Sequence, residues 1–211
     1  MTPLSAINPI NPVMPVIKPI NPAYIMLIPI LLITGFVMKK AMEYTPDYKR
    51  DDFTTWCLII TEVVSALLFF RFGLTLATIK GIAFLVLAIF ASVCDIKTRR
   101  VADAVSIMVA IVGLSDVSVK QIFFNLISAS CVLGFLLICA CVIGQFGGAD
   151  IKFSAASVFL LGLSKGIAGL MLGLLLSIIG TLIRNKIKKT NKQDLPLVPY
   201  LAVAFLITYF I

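Results

Sequence analysis

Histidine is absent from the 211 residues, and charged residues make up only 13% of them. The first absence removes the commonest metal ligand and the usual general base at neutral pH. The second removes the water-soluble classes, because a domain of this size needs roughly 25% charged residues to cover its surface. Acids are few, ten in all, and there is one tryptophan. The five cysteines, Cys57, Cys94, Cys131, Cys139 and Cys141, form no CxxC pair and lie in or beside apolar runs. They read as small hydrophobes, and no metal site is expected. What the chain has instead is 60% hydrophobic residues and a mean hydropathy of +1.08. Its solvent is lipid. The net charge of +8 is therefore no pointer to nucleic acid, since membrane proteins gather Lys and Arg in cytoplasmic loops.

Residues 1–22 carry Pro3, Pro9, Pro12, Pro15, Pro19 and Pro22, a density that predicts an extended, non-helical tail. It has neither the basic start nor the uninterrupted apolar stretch of a signal peptide. Apolar runs follow at 24–38, 53–70, 79–94, 101–114, 121–143, 151–164, 166–183 and 197–211. No period-2 alternation suggests a barrel, so the expectation is an all-α, polytopic membrane bundle of about eight transmembrane segments, one domain over 23–211. With eight crossings the joints alternate sides. One side then receives Lys39, Lys40, Lys49, Arg50, Lys97, Arg99, Arg100, Lys152 and the cluster from Arg184 to Lys192, which is 13 of the 18 basic residues. The positive-inside rule makes that side cytoplasmic.

Four acids lie within or against apolar runs: Glu62, Asp95, Asp103 and Asp150. A carboxylate in the bilayer costs about 2.5–3.5 kcal/mol on insertion scales, which makes each a candidate for function. Asp95 ends the third run and Asp150 follows Gly147-Gly148-Ala149 before the sixth. Alternation puts both on the cytoplasmic side at similar depth. Two neighbouring carboxyls do not both ionise readily, so one holds a proton while the other accepts one, which is acid–base hydrolysis without metal, cofactor or histidine. Gly147 and Gly148 would allow a sharp, Cβ-free turn beside the second carboxylate. Each residue also has a structural reading: Asp95 as an interfacial partner of Lys97 or Arg99, Asp150 as a helix N-cap, Lys152 snorkelling to headgroups, Glu62 pairing inside the bundle.

Together, the stretches Asp95-Ile96-Lys97-Thr98-Arg99-Arg100-Val101-Ala102-Asp103, Gly147-Gly148-Ala149-Asp150-Ile151-Lys152 and Leu195-Pro196-Leu197-Val198-Pro199 resemble the type IV prepilin peptidases, membrane aspartyl proteases with a GxGD motif. Glu62–Phe69 resembles the helix before the family's first catalytic one. The resemblance implies a catalytic pair Asp95 and Asp150, with Gly147, Gly148, Ala149 and Lys152 supporting the second aspartate and Asp103 as a turn residue. It further implies no cofactor, a cell-membrane location with the site at the cytoplasmic face, and a prepilin-like substrate with a short basic leader. Glu43, Asp47, Asp51 and Asp52 are expected to attract that leader. Ala149 stands where strict GxGD has glycine and Ala102 where proline is usual. The segment 39–52 has no cysteine pairs, so peptidase activity without methyl transfer is expected. Presenilin-like proteases fit less well, because Cys94-Asp95 and Leu195-Pro196-Leu197 replace their Tyr-Asp and Pro-Ala-Leu. A catalytically silent homologue and a transporter remain the alternatives.

Overall fold

The computed structural model describes residues 26–44, 52–115, 117–143, 147–188 and 196–211. These form eight α-helices and no strand: α1 (Leu27–Glu43), α2 (Asp52–Phe72), α3 (Leu76–Thr98), α4 (Asp103–Leu114), α5 (Val119–Ile143), α6 (Gly148–Leu161), α7 (Leu163–Lys188) and α8 (Val198–Phe210). Every apolar run of the sequence becomes one helix. The proline-rich tail lies outside the described residues.

Four helices, α2, α3, α5 and α7, are long and apolar enough to cross a membrane. By contrast α4, α6 and α8 have 12, 14 and 13 residues. At 1.5 Å per residue they reach only about 18–21 Å, short of the roughly 30 Å of hydrocarbon. Eight helices therefore do not amount to eight full crossings. Two boundaries also differ from expectation. Asp95 is inside the last turn of α3, which runs on to Thr98 and ends at Arg99 in the left-handed conformation (φ 53°). Lys165, expected in a joint, belongs to the first turn of α7. The joint between α6 and α7 is Gly162 alone, at φ 81°, a backbone that glycine adopts without strain.

The main core gathers α3, α4, α6 and α8 around Phe84, Val109, Phe153, Val158, Val198 and Phe205, all at most 3% exposed. A second cluster of Met38, Met42, Cys57, Val86 and Val93 holds α1 against α2 and α3. Helix α8 packs on α3, α6 and α7. Small residues decide how closely it does so: a Cβ on Gly169 would lie 2.5 Å from the Phe205 ring, and one on Gly173 would lie 2.7 Å from Leu201 Cδ2 and 3.1 Å from its Cα. Glycines at such spacing let membrane helices approach by van der Waals packing where lipid supplies no hydrophobic drive. On the far side of α8, the Tyr209 hydroxyl donates to the Ala77 carbonyl at 2.6 Å, and Gly81 accommodates the Tyr209 ring.

Leu201 Cα is backbone and cannot swing aside, so Gly173→Ala should force α7 and α8 apart. We expect a loss of about 1–3 kcal/mol, read as a lower thermal unfolding midpoint in detergent. An unchanged or raised midpoint would show that the helices tolerate the added methyl.

Candidate active site

Asp95 projects from the last turn of α3, where it is 7% exposed. Its Oδ2 accepts the backbone N–H of Val198 at 3.2 Å. That donor is available for a simple reason: Val198 is the first residue of α8, and the first N–H groups of a helix have no acceptor within it. Pro199 sits in the same turn and has no N–H. The carboxylate thus lies at the positive end of the helix dipole.

Asp150 arrives from another direction. It is the third residue of α6, not its N-cap; Gly147 holds the cap position. Asp150 Oδ2 accepts the Gly147 N–H at 3.2 Å, while the Asp150 N–H donates to the Gly147 carbonyl at 3.1 Å. The side chain borders a tight cavity with Leu136, Leu170, Leu174, Leu197 and Leu201. Leu197 and Leu201 flank Val198 on α8, so the start of α8 lies between the two acids. Asp150 stands outside the four long helices, and its carboxyl is pushed up to about 6, first by burial and then by the charge of Asp95, against the opposing Gly147 N–H. The two acids therefore sense one another across the head of α8.

The glycines act differently from the sequence reading. Neither Gly147 nor Gly148 has a positive φ, so no special turn is needed. A Cβ on Gly147 would instead lie 2.9 Å from Asp150 Oδ2, whereas Gly148 faces open space. Ala149 is half-buried and packs on the main core. Gly144, Gln145 and Phe146 lie outside the described residues.

Lys152 is not simply snorkelling. Its Nζ reaches both Asp103 oxygens at 2.8 Å, tying the second turn of α6 to the first residue of α4. Ala102, before Asp103, has φ −64° and ψ 136°, close to the backbone a proline ring fixes. Glu62 belongs to the α1–α2 contact, with its Oε1 against Gly35 and its Oε2 buried without a hydrogen-bond partner. Glu43 is paired with Lys40 at 3.0 Å; Asp47 and Asp51 lie outside the described residues. Among the described residues, no group of three or more His, Cys, Asp or Glu side chains is placed to hold a metal.

Two features escaped the sequence reading. One is the Val198 N–H, signalled only by the prolines Pro196 and Pro199 that start a helix there. The other is Ser154, one turn after Asp150 and 1% exposed, whose hydroxyl is buried in the same cavity without a hydrogen-bond partner. A single serine in an apolar run gives no signal at all.

Residues 82–184, which contain both aspartates, match the type IV leader peptidase family. No curated protein and no solved structure matches the chain. The match spans just under half of the chain; over that stretch the chain is similar to the type IV leader peptidase family, a family of peptidases, and four of its helices are long and apolar enough to cross a membrane.

Two substitutions probe this geometry. Gly147→Ala should displace the Asp150 carboxylate and lower kcat/KM for leader cleavage at least tenfold, while Gly148→Ala stays within twofold; equal effects would show that the contact is idle. Ala102→Pro matches the existing φ and removes freedom from the unfolded chain, so it should stabilise by about 0.4–1 kcal/mol. A lower unfolding midpoint in detergent would show that the residues around it do not admit the ring.

Proposed function

We propose that the chain is an aspartic endopeptidase that removes a short basic leader from prepilin-like or related precursors at the cytoplasmic face of the cell membrane, with Asp95 and Asp150 as its catalytic pair. The observation that carries this reading is the convergence of the two carboxyls on the first turn of α8. Asp150 keeps its proton to higher pH than an ordinary carboxyl, which suits it to donate. Asp95, held by a backbone N–H, suits the role of base.

The reaction then runs without a covalent intermediate. Asp95 takes a proton from water as the water oxygen bonds to the scissile carbonyl carbon, and Asp150 gives its proton to the carbonyl oxygen. The tetrahedral adduct collapses when Asp95 passes its proton to the amide nitrogen, one diol hydroxyl returns a proton to Asp150 and the C–N bond breaks. A carboxylic acid and an amine result, and the pair is again singly protonated.

The cytoplasmic assignment is supported by the basic residues that accompany both acids: Lys97, Arg99 and Arg100 follow Asp95, and Lys152 follows Asp150. A leader of a few basic residues on an apolar helix would keep its charged part on that side. The departures from the family pattern do not favour a silent homologue. Ala102 has the φ of the proline it replaces, and Ala149 is absorbed by core packing.

Co-expression with a prepilin-like precursor, read as a gel shift, tests the assignment. Asp95→Asn and Asp150→Asn preserve shape and are each expected to reduce processing at least a hundredfold, the scale of lost acid–base catalysis, at unchanged membrane levels. Normal processing by either variant would remove that residue from the pair.

A further inference from the structure

Three apolar grooves open on the flanks of the bundle, and their positions relative to Asp95 and Asp150 differ. The groove between α1, α3 and α4 is walled on α3 by residues from Thr78 to Leu87, eight residues or more before Asp95. The groove between α4, α5 and α6 touches α6 through Lys152, Ala155, Ala156 and Phe159. That is the helix face turned away from Asp150 and Ser154, so a chain lying there would have to cross α6 to be cut. The third groove, about 350 Å³, lies between α2, α3 and α8. It starts at Phe53, Ile96 and Pro199 and runs to Val64, Leu85 and Phe210. Ile96 is the residue after Asp95, and Pro199 follows the Val198 whose N–H Asp95 holds.

We infer that this α2–α3–α8 groove is where the apolar helix of the substrate docks, its cut end beside Asp95. The inference rests on the peptidase reading above and adds the place of binding. The three walls are in register, with α3 antiparallel to α2 and α8: residues 53–64 of α2, 96–85 of α3 and 199–210 of α8 all lead away from Asp95 over eleven steps. At 1.5 Å per residue this is a trough of about 16 Å, or some three turns of an incoming helix. Its rim residues Ile60, Ile96, Val203 and Ile207 are 45–52% exposed, so the trough faces lipid sideways and a membrane-held helix reaches it without leaving the bilayer. Its lining is apolar save for Ser92 and Cys57, which fits an uncharged helix and leaves a basic leader outside the trough.

The test separates docking from catalysis. A benzoylphenylalanine photo-crosslinker is placed in the full-length membrane protein at position 203 or 207, and at 33 and 107 as controls in the other two grooves. The probe is a single-span apolar helix with a short basic leader, in vesicles. Adducts with the probe at 203 and 207, at least fivefold above those at 33 and 107, are the expected result. Lipid adducts alone at 203 and 207, or equal yields in all three grooves, would overturn the docking site. In parallel, Val203→Phe and Ile207→Trp, which fill the trough, should raise KM for the probe about tenfold while leaving kcat/KM for a soluble peptide spanning only the cleaved bond within twofold. Equal losses on both substrates would mean that the trough does not hold the helix. Strong adducts at 203 without cleavage by the parent chain would keep the groove and remove the peptidase reading; cleavage without adducts would do the reverse.

Discussion

A single hydrogen bond joins residues 103 positions apart, from the Val198 N–H to Asp95 Oδ2, and the arrangement of the site depends on it. Both groups are buried, and a buried polar group left without a partner costs about 1–3 kcal/mol. Each therefore answers a need of the other: α3 delivers an acid into a region with little water, and α8 delivers an N–H that no helical carbonyl can accept. Fixing the head of α8 there also fixes Leu197 and Leu201, which close the cavity over Asp150. The second carboxyl is thus enclosed by a helix that the first one holds.

The remaining contacts of α8 can be understood as keeping it in register with that bond. Gly169 and Gly173 on α7 allow Phe205 and Leu201 to approach the α7 backbone. Tyr209, at the other end of α8, is bonded to Ala77 and packed on Gly81 of α3. A helix of 13 residues makes too few lipid contacts to set its own depth. Side-chain size on its neighbours and one bond at each end set it instead. The ion pair of Lys152 with Asp103 does the equivalent for α6 against α4, and it lies on the face of α6 away from Asp150, where it leaves that carboxyl unoccupied.

Much of this was legible in the residues. Apolar runs gave eight helices because in lipid a chain segment satisfies its backbone only by coiling, and acids inside such runs stand out because little else in them is charged. The failures have equally local causes. Asp95 looked like the end of a helix because Ile96-Lys97-Thr98-Arg99-Arg100 is polar, yet hydropathy marks the edge of the hydrocarbon, not the end of hydrogen bonding. Gly147 and Gly148 look alike in sequence, and only the approach of Asp150 Oδ2 separates a required glycine from an idle one. Lys152 and Asp103 are 49 residues apart, so their pairing depends on α4 and α6 being neighbours, which no local pattern encodes. Ser154 gives no sign for the same reason, since the cavity around it is walled by three other helices, α5, α7 and α8.

The shortness of α6 and α8 gives the site its electrostatic character. Both helices begin at the aspartates, so each carboxylate meets unsatisfied N–H groups and the positive end of a helix dipole. A lysine or arginine bonded in the same place would hold the carboxylate ionised and occupy its oxygens in a fork. Backbone N–H groups are weaker partners: a bond to Asp95 Oδ2, where the charge of Arg99 also acts, and one to Asp150 Oδ2 make burial tolerable and leave Asp150 titrating at about 6. Under the proposed assignment, in a chain without histidine, a carboxyl that exchanges its proton in this range would take the part an imidazole plays elsewhere. Full-length spans at these two positions would carry the helix starts away from the carboxyls, and the acids would face lipid with nothing to hold them.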